Sequence, residues 1–216
     1  MEYDLHIHTS RYSGCSNIDP VSALRRASEI GLRGIALSEH GIRWRDDEVQ
    51  ELISEAGVSD LVVFPGQEIA CYSSAGRFQG EFLVFGYPSS LGSNKSAERL
   101  VDMVHENGGV VVAAHPYKPH GTGHGYYGSG DDTANYALDG VEVEHPSYDD
   151  GARGKALSLA RRMGVSEIGC SDAHDIRNIG ICRTILESDV VTVEGLCEEL
   201  KRRRTRAIHA LRRESA

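Results

Sequence analysis

His6 and His8 stand two residues apart at the end of a short apolar segment, residues 3–7. Alternate residues of a strand share a face, so a strand there aims both imidazoles the same way. Further along, His40 closes Ser38-Glu39-His40 and Glu68 closes Pro65-Gly66-Gln67-Glu68. His115 follows the apolar run 110–114, and Asp172 and His174 lie in Ser171-Asp172-Ala173-His174 after another. A lone His-x-His or Asp-x-His pair is a weak signal, because one histidine at a strand end is often simply hydrogen-bonded. Here five strand ends each deliver His, Asp or Glu, and the chain holds ten histidines in 216 residues. That convergence argues for one metal cluster. Mixed nitrogen and oxygen donors of this kind suit Zn, Mn or Fe without separating them.

The elements that must position these side chains alternate. Strands are expected at residues 3–7, 35–37, 61–64, 82–85, 110–114, 141–143 and 167–170. Asp19-Pro20 reads as an N-cap and first helical residue, opening a helix to Ile30. Further helices are expected over 46–56, from Ser96 to Asn107-Gly108-Gly109, over 152–163 and over 192–204. Repeated βα units predict an α/β fold with a parallel sheet, open or closed, whose short strands are apolar on both faces because helices cover them. In a closed β/α barrel the functional residues come from the carboxyl ends of different strands, where these residues sit. No low-complexity linker or internal repeat divides the chain, so residues 1–216 read as one domain. Residues 116–130 form a long glycine-rich stretch with Lys118, His120, His124, Tyr126 and Tyr127, and such loops tend to be functional or mobile.

Composition narrows the class. Hydrophobic residues make up 40% and charged residues 25%, as in soluble globular proteins. No apolar run approaches membrane-spanning length, and residues 1–4 lead straight into a strand without a secretory pattern, so a cytoplasmic protein is expected. Five cysteines, without a CxxC, make neither a disulfide framework nor a thiolate zinc knuckle. A net charge of −9 disfavours a partner of duplex nucleic acid. The one concentrated basic run, Lys201 to Arg206, reads as the solvated last turns of a terminal helix.

Asp4-Leu5-His6-Ile7-His8-Thr9, Ser38-Glu39-His40, His115-Pro116 and Ser171-Asp172-Ala173-His174, in that order, resemble the four motifs of the PHP (polymerase and histidinol phosphatase) family. The resemblance runs from residue 4 to about residue 180. It implies a distorted (β/α)7 barrel holding two or three divalent ions, and phosphoesterase activity. It also implies a first metal site of His6, His8, Glu68 and Asp172. Glu68 would bridge to a second ion held by His115, and His40 and His174 would hold a third. Two positions depart from the family pattern. Tyr12-Ser13-Gly14-Cys15 stands where another His or Asp ligand is usual, leaving Cys15 as a candidate thiolate or a packed thiol. Glu81 stands where relatives carry a His on the second ion, and a carboxylate there favours a harder ion such as Mn.

The expected chemistry is hydrolysis of a phosphate ester by a metal-activated water, with Asp172 or His174 moving a proton. Arg11, Lys118 and Arg177 are the cationic candidates for holding phosphate. A small phosphorylated substrate or nucleotide fits the acidic chain best. A nuclease or 3′-exonuclease, histidinol-phosphate phosphatase and a non-catalytic metal-binding regulatory domain are the competing readings.

Overall fold

The computed structural model describes residues 1–121 and 125–211, so His124 lies outside the described residues. Strands β1 (Glu2–Ile7), β2 (Gly34–Leu37) and β3 (Val62–Pro65) are parallel neighbours, linked by helices α1 (Pro20–Glu29) and α2 (Asp46–Ala56). Asp19 caps α1 by accepting from the Ser22 amide at 2.8 Å, and Pro20 occupies a position that needs no intrahelical N–H.

The next strands depart from the expected parallel alternation. β4 (Gln67–Tyr72) and β5 (Phe78–Phe85) form an antiparallel hairpin, and β5 also runs antiparallel to β6 (Val110–Ala113), which follows α3 (Ala97–Glu106). β7 (Gly140–Glu144) and β8 (Ser166–Gly169), joined by α4 (Asp150–Met163), continue in parallel. β9 (Cys182–Leu186) pairs antiparallel with β1, and β10 (Thr205–His209), after α5 (Val193–Lys201), pairs antiparallel with β9. The result is two mixed five-stranded sheets, β10-β9-β1-β2-β3 and β4-β5-β6-β7-β8.

The last helix ends three residues before the expected Arg204. Arg203 takes a left-handed φ of 58°, and the residues after it gain a five-residue ladder on β9 instead. The basic run therefore spans the end of α5, a turn over residues 202–204 and the start of β10. Arg202 pairs with Glu198, Arg204 pairs with Glu199, and Lys201 Nζ and Arg203 Nη1 donate to the Gly108 and Gly164 carbonyls at 2.6 and 3.0 Å.

Three apolar layers hold these elements. Leu5, Phe64, Phe85, Val112, Ile168 and Leu186, drawn from both sheets, share one interior that Leu196 and Leu200 of α5 help to fill. Helices α1 and α2 cover the outer face of the first sheet, and α3 and α4 that of the second. Full burial of each large side chain stabilises by about 1.5–3 kcal/mol. The sheets also join at one end through the backbone: His8 N donates to Ala173 O at 3.0 Å, Glu68 N to Glu39 O at 2.9 Å and Gly41 N to Glu68 O at 2.8 Å. Those bonds bring the ends of β1, β2 and β8 to the start of β4. Among the described residues, no helix is long and apolar enough to cross a membrane.

Candidate functional site

His6 and His8 face each other at this junction with Nε2 atoms 2.9 Å apart. Their outer nitrogens fix the tautomers. His6 Nδ1–H donates to Glu142 Oε1 at 2.9 Å. Ser13 gives its hydroxyl hydrogen to Glu39 Oε2 at 2.5 Å, so its oxygen accepts from His8 Nδ1–H at 3.2 Å. Glu39 is held in turn by Thr9 Oγ1 at 2.6 Å and Trp44 Nε1 at 3.0 Å. Both Nε2 atoms therefore point inward, and either a proton on one of them or a metal ion has to lie between them.

Glu68 sits among four imidazoles. Its Oε1 is 3.1 Å from His115 Nε2 and 3.4 Å from His6 Nε2, and its Oε2 is 3.0 Å from His40 Nδ1 and 3.4 Å from His8 Nε2. Asp172 Oδ1 lies 3.4 Å from both His6 Nε2 and His8 Nε2, and Oδ2 lies 2.6 Å from Lys118 Nζ. His174 donates from Nδ1 to the Asp172 carbonyl at 3.0 Å, leaving Nε2 as an acceptor. Among the described residues, four sets of donor atoms each lie mutually within 4.8 Å: His6/His8/Glu68, His6/His115/Asp172, Glu68/Glu81/His115 and His8/His40/His174.

This donor set fits divalent cations. Glu68, Asp172 and Glu142 are buried carboxylates, and buried charge must be compensated. Burial works against a charged His6, yet Glu142, Glu68 and Asp172 outweigh it and hold that imidazole well above its ordinary value. Burial likewise opposes ionisation of Glu68 and Asp172, but His6 and the other imidazoles keep both well below the usual carboxylate range. A metal ion supplies the same positive charge, so metal and proton compete for these nitrogens. His115 Nδ1 is buried without a hydrogen-bond partner among the described residues. His115 and Asp172 also hold φ angles of 29° and 48°, in the left-handed region that costs a non-glycine residue about 1–3 kcal/mol. Such strain is characteristic of side chains held for function.

The two departing positions both reach the cluster. Cys15 Sγ is 3.3 Å from His40 Nε2, and burial pushes its thiol up. Glu81 Oε2 is 3.7 Å from His115 Nε2, and burial, then the charge of Glu68, pushes its carboxyl up to about 7. Strand-end logic does not place Glu81 here, but β5 runs reversed and presents its first half to the site. Of the three cationic candidates, Lys118 alone joins the cluster. Arg11 lies over Tyr12 and 3.9 Å from Glu48, while Arg177 is 85% exposed and pairs with Asp175.

Sequence reasoning missed Glu142, His145, Glu39 and Ser13. Glu142 accepts from His6 and, at 2.5 Å, from the His115 amide. His145 Nδ1 accepts from Ser147 N at 3.0 Å, so its Nε2–H donates to Asp172 Oδ2 at 3.3 Å. The signals were a carboxylate between two valines in a covered strand, and a second His-Pro pair after a strand.

A family model described as PHP-associated matches residues 151–205. An uncharacterized protein of Methanocaldococcus jannaschii is 31% identical over 161 residues, covering 70% of this chain and 85% of that protein. A two-domain protein of Bacteroides vulgatus containing a predicted PHP-like metal-dependent phosphoesterase superposes with a TM-score of 0.72 at 20% identity, over 97% of this chain and 64% of that one. Endonuclease Q, in complex with a 27-mer duplex carrying an abasic lesion, superposes with a TM-score of 0.57 at 16% identity, over 93% of this chain and 56% of that one. At these identities the two structures speak for shared fold.

Proposed function

The chain belongs to the PHP family, and on that premise we propose that it is a metal-dependent hydrolase of small phosphate esters, binding two or three divalent ions. The observation that carries this reading is the pair of inward Nε2 atoms of His6 and His8, 2.9 Å apart, with oxygens of Glu68 and Asp172 at 3.4 Å. Nitrogens at that separation need a proton or a metal ion between them, and His6, held charged by Glu142, Glu68 and Asp172, carries a proton that a metal ion would displace. His6, His8, Glu68 and Asp172 would hold one ion, Glu68, Glu81 and His115 a second, and His8, His40 and His174, beside Cys15, a third. When bound, such ions supply Lewis acidity that activates water and neutralises phosphoryl oxygens.

The protein's own groups do the rest. Glu142 and the Ser13–Glu39 pair hold the His6 and His8 rings in register. Lys118 Nζ, half-buried against Asp172, offers a cation to a non-bridging phosphate oxygen. Where the third ion is absent, His174, locked through Nδ1, presents Nε2 to a transferable proton, and Asp172 is its partner in that role. We further read the two sheets as opposite walls of one distorted barrel in a single domain, because strands of both contribute to one interior. A strand-cleaving activity draws on fold likeness alone, and four cations of the basic run are engaged with Glu198, Glu199 and main-chain carbonyls.

The test is hydrolysis of an aryl phosphate and a nucleotide panel by stripped protein reloaded with Mn, Zn or Fe, beside Asp172→Ala. Metal-dependent turnover, lost in the variant, supports the proposal. Stoichiometric metal without turnover on any ester favours a non-catalytic metal-binding domain.

A further inference from the structure

After His115 the described residues 116–121 and 125–130 form two paired arms, and of them only Lys118 enters the chemistry above. Tyr127 N donates to Lys118 O at 3.0 Å, His120 N donates to Gly125 O at 3.1 Å, and Pro119 bridges Tyr126 in antiparallel register. The return arm lies on the strand end that carries His115. A Cβ at Gly128 would fall 2.6 Å from His115 O and 2.5 Å from the Pro116 Cα, so only glycine permits the approach.

Strand alternation then sorts the side chains. Tyr126 packs edge-on against Tyr117 at 5.3 Å, and its hydroxyl accepts from Lys155 Nζ at 3.1 Å, which fastens that face to the body. Lys118, His120 and Tyr127 share the other face. The Tyr127 and His120 rings are 4.5 Å apart. Lys118 Nζ stands 5.5 Å from the Tyr127 ring centre and 2.6 Å from Asp172 Oδ2. One cation thus links the metal-side carboxylate to a pair of flat rings, and Tyr127 is 39% exposed. A phosphoryl group held at Lys118 places the rest of its ester against those rings.

We propose that His120 and Tyr127 form a stacking platform for a planar base, which makes the substrate a nucleoside phosphate rather than an aliphatic sugar phosphate. The inference rests on the proposed function for the position of the phosphate. A free nucleotide and the terminal nucleotide of a strand share this chemistry.

Equilibrium dialysis of the hydrolysis-resistant phosphonate analogues of adenosine 5′-phosphate and of glycerol 3-phosphate against the metal-loaded full chain tests it, in wild type, Tyr127→Ala and Tyr127→Phe. The wild type should prefer the nucleotide. Tyr127→Ala should lower the ratio of the two affinities by about tenfold or more, and Tyr127→Phe, which keeps the ring, should restore it. A ratio unchanged in Tyr127→Ala overturns the platform. Competition by a 5′-phosphorylated oligonucleotide that depends on Tyr127 would also support it and assign the unit to a strand end. Hydrolysis of the two phosphate esters themselves, followed in parallel, reads the other claim: its absence for both esters counts against the phosphoesterase, while the dialysis ratio still decides the platform.

Discussion

Replacing Glu142 by Gln is expected to weaken metal binding without unfolding the chain. The carboxylate has two jobs: Oε1 accepts from His6 Nδ1 at 2.9 Å and Oε2 accepts from the His115 amide at 2.5 Å. Glutamine has the same shape but one acceptor and one donor. If its oxygen stays on His6, its NH2 group opposes the His115 N–H. If it flips, the NH2 group faces His6 Nδ1 and drives the ring proton to Nε2, where His8 Nε2 lies 2.9 Å away and a metal would bind. Either arrangement misplaces one of two ligands that arrive on different strands.

Changes of this kind behind a metal-bound histidine cost about 10- to 100-fold in metal affinity, which corresponds to about 1.4–2.8 kcal/mol. Glu68 and Asp172 still compensate the His6 charge once Glu142 is neutralised, so the loss in folding stability should be smaller than the loss in binding. Competition with a chromogenic chelator measures the affinity, and denaturant unfolding of the stripped proteins measures the stability. A Glu142→Gln affinity within twofold of wild type would overturn this role for Glu142, as would an affinity loss matched by an equal loss of fold.

Other perturbations separate the remaining parts. Burial raises Asp4 to about 6, and His6 stays well above 6.5 despite its burial because Glu142, Glu68 and Asp172 surround it. A raised folded-state value gives stability that is fully present below the unfolded value and lost as pH rises through the folded one. The stripped protein should therefore melt at lower temperature as pH climbs from about 4 to beyond 7, and metal-loaded protein should resist the part due to His6; a flat profile for stripped protein would contradict this. Cys15→Ser should weaken the His8/His40/His174 ion and abolish any thiolate charge-transfer band in the cobalt-substituted protein, while the other ions remain; an unchanged spectrum would make Cys15 an exposed thiol with no part in the metal site. Phe85→Ala, in the interior shared by both sheets, should cost about 3–5 kcal/mol in chemical denaturation.

Much of this arrangement was legible because its signals are local. His6 and His8 share a face by strand alternation, and His40, His115, Asp172 and His174 come after apolar runs whose ends the fold collects. Strand direction was not legible. β4 opens on polar Gln67 and Glu68 directly after Gly66, and its pairing with β5 is set by the partner strand rather than by its own pattern. That reversal is what delivers Glu81. The basic run misled for a similar reason: residues 201–204 have helical propensity, but the free edge of β9 captured Thr205 to His209 as a strand. Glu142 and Ser13 act through other side chains, so their roles appear once tertiary contacts exist. The pairing of Arg177 with Asp175 shows why a cation near a motif in sequence need not enter the site.

Metal-dependent catalysis is tested most simply by phosphate release from an ester as Mn is returned stepwise to stripped protein. The expected result is no turnover without metal and a rate that climbs with added ion until the His6/His8/Glu68/Asp172 and Glu68/Glu81/His115 positions are filled. Equal turnover before and after metal, or none at saturation, would contradict it.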